Sequence, residues 1–294
     1  MAVAEAFVPS SPQRRGMAKV TSARKVFTGA TKVDRFGLIL LALLVVVAIL
    51  APLVAPYNPT VPSGLPFTPP LHGGHLMGTD EVGFDIFSRV LFGLRESLLG
   101  VVIVVTSGVV IGGLIGLVAG VAGGWLDAVL MRITDLFLAL PAPLLAIAIA
   151  AALGPSFAHV LLAVAIVWWP FYARIMRGEV RALAARPHLE AAALAGAGPV
   201  RRGVRHLLPG AMPAIIVTAS LDVGNLVVTL AGLSFLGLGA PAPAPELGAM
   251  SARGLQFLLQ EWWVPVMPGI GVFLLALGAN MSGDAIADAT GLGA

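Results

Sequence analysis

The chain has 294 residues, of which 58% are hydrophobic and 11% are charged, with 18 basic and 15 acidic side chains. Soluble domains carry about 25% charged residues, so the composition excludes an ordinary soluble domain and predicts an integral membrane protein. Cysteine is absent from the sequence, which excludes disulfides, thiolate metal sites and cysteine nucleophiles.

Most basic residues fall in two blocks, residues 1–35 and the region from Arg174 to Arg205. Because basic segments remain on the cytoplasmic side of a bilayer, we expect residues 1–35 to form a basic cytoplasmic N-terminal segment. Phe36 to Ala55 follows without a charge and is long enough to cross the membrane outward.

A loop rich in proline and glycine follows, from Tyr57 to Arg95, and we expect it to be external. Asp80 and Asp85 are placed to cap a short helix that starts near Asp85. Pairing of these acids with arginine is favoured over direct contact with a substrate. His72 and His75 lie close together here, but the spacing favours a solvated loop, and we expect no metal site.

The second span is predicted at Ser97 to Ala122, the third at Ala128 to Ala152 and the fourth at Phe157 to Met176. Pro141 and Pro143 should kink the third span. In the second span, small residues recur near every fourth position, which favours close contact between helices in lipid. These residues are Gly108, Gly112, Gly113, Gly116 and Gly120.

The segment 177–210 is polar and rich in arginine, so it should face water on the cytoplasmic side. Pro187 and Pro199 are suited to start two short helices, separated by Gly196 and Gly198. Pro209 should stop the second helix, whose last turn carries Arg205 and His206. Two short helices joined by glycines between membrane spans form a docking surface. On it, Ala191 to Ala193 would allow close approach of a partner, and Glu190 offers one hydrogen-bonding charge.

Two further spans are predicted, at Ala211 to Leu238 and at Val264 to Gly283. The fifth contains Asp222, a carboxylate that must pair, become protonated or face water inside a membrane. The sequence allows two roles for Asp222, which are an interhelical hydrogen bond and a position in the lining of a pathway. Six crossings return the C-terminus to the cytoplasm.

The central loop resembles a known family. Glu190-Ala191-Ala192, Gly196 and Leu208-Pro209 match the EAA loop of bacterial ABC-importer permeases, and His206 is similar to the peptide/nickel branch. Ala193 departs from that branch, which usually has arginine there.

A second block in the external loop resembles the same branch. It comprises Gly78, Thr79, Asp80, Gly83, Asp85, Ser88 and Arg89, with Phe84 in place of an expected arginine. Later in the chain, Leu230 stands where relatives usually have an acid.

The resemblance implies an all-α integral membrane protein with six transmembrane helices and the type I ABC-importer permease fold, with the permease domain at 36–290. It implies an importer of peptides, nickel or related solutes in the bacterial cell membrane. A homologous permease, two cytoplasmic ABC ATPases and an extracytoplasmic substrate-binding protein would be its partners. The residues implied in coupling to the ATPase, within the 186–209 loop, are Glu190, Ala191, Ala192, Gly196, Arg201, Arg205, His206 and Pro209.

The chain lacks the G-x-x-x-x-G-K-[ST] phosphate loop, so we expect no catalysis and no cofactor on it, with ATP and Mg bound by the partner ATPases. The alternative is a secondary transporter or channel that uses Asp222 for ions or protons. That alternative leaves the EAA-like loop unexplained. A membrane-bound enzyme is disfavoured because no cluster of histidines or acids is evident.

Overall fold

A computed structural model describes residues 31–290, without the side chains of His188, Glu190 and Ala193. The predicted basic segment 1–35 therefore lies outside the described residues up to residue 30. Within 31–290 the chain forms helices, turns and two isolated β-bridges, and no strand. The helices are α1 (Lys32–Val54), α2 (Ile86–Ala122), α3 (Gly124–Leu138), α4 (Ala142–Leu153), α5 (Phe157–Ala184), α6 (Pro187–Leu194), α7 (Pro199–Arg202), α8 (Leu208–Phe235), α9 (Leu247–Gly254) and α10 (Trp263–Thr290), with a π-turn at Gly203–Leu207 and a 3₁₀ turn at Leu255–Phe257.

Five helical stretches among the described residues are long and apolar enough to cross a membrane. The predicted third span is different, because α3 and α4 meet at 82°. Counting this bent pair as one span gives six, as the sequence predicts. The bend is much sharper than the expected kink. Pro141 lies in the break, and its missing N–H cannot continue the helix across it.

Helices α1 and α2 both begin earlier than the apolar pattern predicts. Thr31 and Asp34 form a capping box in which each side chain accepts the other's backbone N–H, at 3.2 and 2.8 Å. Asp85 caps α2, as predicted, by accepting the Ser88 N–H at 2.7 Å. The stretch 86–95 is therefore the first part of a 37-residue helix rather than a loop.

The glycines of α2 bring it close to α5, which confirms the predicted helix contact. A Cβ on Gly112 would lie 2.2 Å from the Trp169 carbonyl oxygen, and one on Gly116 would lie 2.3 Å from that of Ala173. Such positions tolerate only hydrogen, so the two backbones pack without intervening side chains.

Helix α10 packs against α1 and α8 through the same kind of contact. A Cβ on Gly37 of α1 would lie 2.2 Å from the Met281 Cβ, and one on Gly283 would lie 2.7 Å from the Ser220 carbonyl oxygen in α8. These contacts place α1 and α8 against one helix, while α2 and α5 form the other closely packed pair.

Pro209 does not stop a helix, contrary to the prediction. The stretch Pro199–Phe235 is helical throughout, because the wide π-turn at Gly203–Leu207 joins α7 to α8. Its wider hydrogen-bond ring is closed by the Leu208 N–H and the Gly203 carbonyl. Pro209 then stands in the first turn of α8, where a missing N–H is tolerated.

Candidate functional site

The segment from Pro187 to Leu207, here called the elbow, lies between α5 and α8. Its first helix begins at Pro187 and its second at Pro199, as predicted. Gly196 has φ of 82°, a left-handed conformation that glycine adopts without strain. The Ala197 N–H donates to the Ala192 carbonyl at 3.0 Å, which satisfies the end of α6. The glycine break is therefore a defined corner.

The elbow is attached to the bundle by a few buried contacts. Leu189 and Leu207 are buried and belong to the hydrophobic core. A Cβ on Gly203 would meet the Val121 side chain of α2 at 3.3 Å, and the π-turn also lies against α5; just beyond the elbow, a Cβ on Gly210 of α8 would meet Leu183 at 2.9 Å. The elbow therefore packs on the ends of α2 and α5.

The remaining surface of the elbow is exposed and is both apolar and basic. Leu194, Val200 and Val204 are exposed hydrophobic side chains. Among the residues implied in coupling, the exposed ones are Ala191, Gly196, Arg201, Arg205, His206 and Pro209, while Ala192 is half-buried. The side chain of Glu190 lies outside the described set. An apolar surface with flanking cations suits a protein partner with acidic groups around an apolar patch.

The buried carboxylate of Asp127 in α3 forms ion pairs with two partly exposed arginines of α5, close to the elbow. Its carboxylate accepts from Nε and Nη2 of Arg177, the latter at 2.7 Å, and from Nη2 of Arg181 at 2.5 Å. Asp135 pairs with Arg174 at 2.5 Å on the same two helices, but both side chains are exposed. An exposed pair contributes about 0–1 kcal/mol, and the Asp127 pairs should contribute more, because the Asp127 carboxylate is only 7% exposed although Arg177 and Arg181 are 28% and 47% exposed.

The sequence prediction missed the Asp127 cluster, although a signal was present. Arg174, Arg177 and Arg181 are spaced three and four residues apart, which places them on one face of a helix. Asp127 and Asp135 are the acids of the neighbouring helix. Opposite charges on adjacent helices of one bundle end are a natural pairing.

Asp222 is buried in α8 and bonds across to α5. Its Oδ2 accepts the Trp168 Nε1–H and the Tyr172 hydroxyl, the latter at 3.0 Å. The interhelical alternative therefore describes its present contacts. A carboxylate with two aromatic donors in an apolar bundle is fixed in one orientation, which ties α8 to α5 between their ends.

The residues of the second block, in the external loop, form a compact cluster at the bundle end opposite the elbow. Thr79 is fully buried, and its hydroxyl donates to the Leu65 carbonyl at 2.6 Å. Gly78 has φ of 77° and lies against Thr68 and Trp263. Asp85 accepts from His75 Nδ1 at 2.9 Å and also caps α2, so it joins the loop around His75 to the start of that helix.

Asp80 and Arg89 stabilise the other side of this cluster. Asp80 Oδ1 accepts the backbone N–H of Phe84 at 2.9 Å, and its Oδ2 lies 3.7 Å from Arg89 Nη1. The Arg89 guanidinium stacks 4.5 Å from the centre of the Phe84 ring, and its Nη2 donates to the Ala244 carbonyl at 3.3 Å. Phe84, which replaces the expected arginine, thus serves as a platform for Arg89.

Packing explains the departure from the branch pattern at Leu230, and it also accounts for a buried acid, Glu246. Leu230 is buried, and its Cδ1 lies near Gly100 of α2. Glu246 is buried ahead of α9, and its Oε2 accepts the Ala240 N–H at 2.7 Å. Burial raises the pKa of the Glu246 carboxyl above its ordinary value, against the opposing effect of the Ala240 hydrogen bond.

Among the described residues, no group of three or more histidines and acids is arranged to hold a metal ion. His72 and His75 form an isolated bridge, but His75 is engaged by Asp85 and stacks 4.8 Å from the Tyr57 ring. What the arrangement offers is therefore an exposed elbow, buried ties between helices and a folded cap at the opposite end.

Residues 112–290 match a family model described as the binding-protein-dependent transport system inner membrane component. Residues 32–70 match the model for the N-terminal TM domain of oligopeptide transport permease C. Both matches fall on spans of this structure.

Three relatives illustrate the similarity. The probable D,D-dipeptide transport system permease protein DdpC of Escherichia coli is 40% identical over 250 residues, covering 85% of this chain and 84% of the relative. The dipeptide transport system permease protein DppC of Alkalihalophilus pseudofirmus is 41% identical over 255 residues, covering 86% and 83%. The glutathione transport system permease protein GsiD of Pectobacterium atrosepticum is 41% identical over 215 residues, covering 73% and 71%.

Proposed function

Because the chain belongs to the family of binding-protein-dependent transport system inner membrane components, with the type I ABC-importer permease fold, we propose that it forms part of the translocation path of a peptide importer. The names of its relatives refer to dipeptides and glutathione, which favours peptides over nickel as the substrate class. The bacterial cell membrane is the location that such a permease requires.

We further propose that the elbow docks on a separate cytoplasmic ATPase. The observation that carries this is the combination of an exposed apolar and basic surface with attachment to two spans. Leu194 is 91% exposed and Val200 76% exposed, although each would gain by leaving water. The elbow continues directly into α8 through the π-turn, so a push on it is transmitted to that span.

The energy source lies on the partners in this proposal. The chain carries no phosphate loop, so ATP and Mg would bind to two ATPase subunits. A homologous second permease would complete the path, and an extracytoplasmic binding protein would deliver the peptide. The basic elbow and the N-terminal basic block would both lie in the cytoplasm.

The alternative of a secondary transporter or channel receives no support from Asp222. Its Oδ2 already accepts two hydrogen bonds from α5, so its arrangement is that of a structural tie.

Retention of the ATPase by tagged variants tests the docking proposal. Leu194→Asp should abolish copurification of the ATPase subunits from mild detergent, because it places a charge at the centre of the apolar surface. Since Leu194 is exposed, the fold should be unaffected. Leu259→Asp is the matched control, since Leu259 is 95% exposed at the opposite end of the bundle. Equal ATPase recovery with both variants, or none with the unmodified chain, would refute docking at the elbow.

A further inference from the structure

Helix α3 is attached to the bundle mainly along its side. It begins at Gly124, directly after Gly123; both glycines have positive φ, and a Cβ added at either would meet no described atom within 4 Å. It ends at the 82° break before α4. Within Gly124–Leu138, all of which the structure describes, the buried residues are Asp127 and Thr134. A helix that starts at a glycine turn and ends at a sharp break is oriented mainly by its lateral contacts.

Asp127 is the strongest of these lateral contacts. Its side chain is only 7% exposed, and it receives three N–H donors from Arg177 and Arg181 of α5. Helix α3 also contacts α5 through the exposed Asp135–Arg174 pair and the edge-to-face rings of Phe137 and Trp169, 5.4 Å apart. A bidentate arginine bond fixes orientation as well as distance.

The arginines that hold Asp127 lie just before the elbow. Helix α5 ends at Ala184, and α6 of the elbow starts at Pro187. Any displacement of the elbow that moves this end of α5 therefore moves the two guanidinium groups, and with them Asp127.

We propose that Asp127 is a positioning residue that makes α3 move together with the elbow, so that the docking movement reaches the bent α3–α4 pair as well as α5 and α8. The inference rests on the proposed function, because it needs a partner that moves the elbow. In this inference α5 moves α3 through Asp127, and the backbone bends at Gly123-Gly124 and at the break between α3 and α4.

Asp127→Asn tests this, with Asp135→Asn as the matched control on the same two helices. The full complex is reconstituted in liposomes, and labelled peptide uptake is measured per ATP hydrolysed. We expect Asp127→Asn to lower this ratio by about tenfold, within the usual range of energetic coupling, while ATPase retention stays unchanged. Asp135→Asn should leave the ratio unchanged. A normal ratio for Asp127→Asn would overturn the inference.

A tether distinguishes positioning from a merely structural role. The chain has no cysteine, so Asp135→Cys and Arg174→Cys can be joined by a short bis-maleimide in the Asp127→Asn background. The tether should restore the uptake ratio, because it replaces the lost attachment of α3 to α5. Failure to restore the ratio in a folded, crosslinked sample would overturn the inference.

A measurement without the Asp127 variant covers the case in which that variant does not fold. Spin labels are placed at three exposed positions outside the proposed docking surface, which are Trp125 in α3, Ala185 at the junction of α5 and the elbow, and Val33 in α1. Between the nucleotide-free and ATP-bound complex, the 125–185 distance should stay constant and the 125–33 distance should change. A changing 125–185 distance would overturn the inference. If the unmodified chain retained no ATPase, the proposed function itself would fail, and the two failures are thus separable.

Discussion

Replacement of Gly112 by alanine probes the contact between α2 and α5. The added Cβ would lie 2.2 Å from the Trp169 carbonyl oxygen and 2.9 Å from the Ala173 nitrogen, both backbone atoms. Ordinary contacts start at 3.4 Å, so the helices must separate by about 1 Å. Such overpacking costs about 1–3 kcal/mol, and alanine recovers roughly 0.5–1 kcal/mol as the better helix former. We expect a net loss of about 1–2 kcal/mol.

Gly113→Ala is the matched control, because it adds the same methyl group one residue along the same helix. Its Cβ would meet only the flexible end of Met176, at 3.5 Å. Thermal unfolding of the purified chain in mild detergent should show a transition for Gly112→Ala a few degrees below that of Gly113→Ala, which should equal or exceed the unmodified chain. Equal transitions for the two variants would refute the close approach of the backbones.

Three further predictions concern polar ties and the elbow. Asp222→Asn should lower stability by about 1–2 kcal/mol, because it disturbs the two hydrogen bonds that the carboxyl group accepts from Trp168 and Tyr172, and unchanged unfolding and uptake would contradict this. Gly196→Val should abolish uptake without unfolding the spans, since the backbone strain is confined to an exposed corner with left-handed φ. Gly198→Val is the control, because Gly198 has φ of −65°, which valine adopts without strain. Normal uptake by the Gly196→Val variant would contradict this prediction. Burial raises the pKa of Glu246, so the folded chain binds a proton more readily than the unfolded chain, and its stability should fall as pH rises above the ordinary value of 4.5. This decline should vanish in Glu246→Gln, and an equal pH dependence in both proteins would exclude Glu246 as its source.

The apolar runs were sufficient to locate the spans approximately, because a membrane helix needs about 20 uncharged residues whatever its neighbours are, but they gave neither the early starts of α1 and α2 nor the 82° break. The glycine pattern of α2 was equally informative, since only small residues permit the contact at Gly112. Local rules also predicted the cap at Asp85 and the start of α6 at Pro187. In each case the residue acts on atoms within one turn of the chain.

The features that escaped prediction depend on tertiary partners or on helix register. Pro209 fails as a stop signal because the preceding π-turn changes which backbone groups need partners. The pairing of Asp127 with Arg177 joins residues 50 positions apart, and hydropathy does not encode it. The role of Phe84 as a platform for Arg89 likewise appears only when the loop has folded back on α2.

The π-turn at Gly203–Leu207 also determines the azimuth of the elbow around the axis of α8. Each residue of an α-helix advances the side chains by about 100°, and a π-turn accommodates one extra residue without ending the helix. Shortening this turn by one residue would leave the buried face of α8 in place. It would rotate Arg201 and Val200 by about a quarter-turn around the axis of α8. The direction in which the exposed residues of the elbow point is thus set by one extra residue in the π-turn.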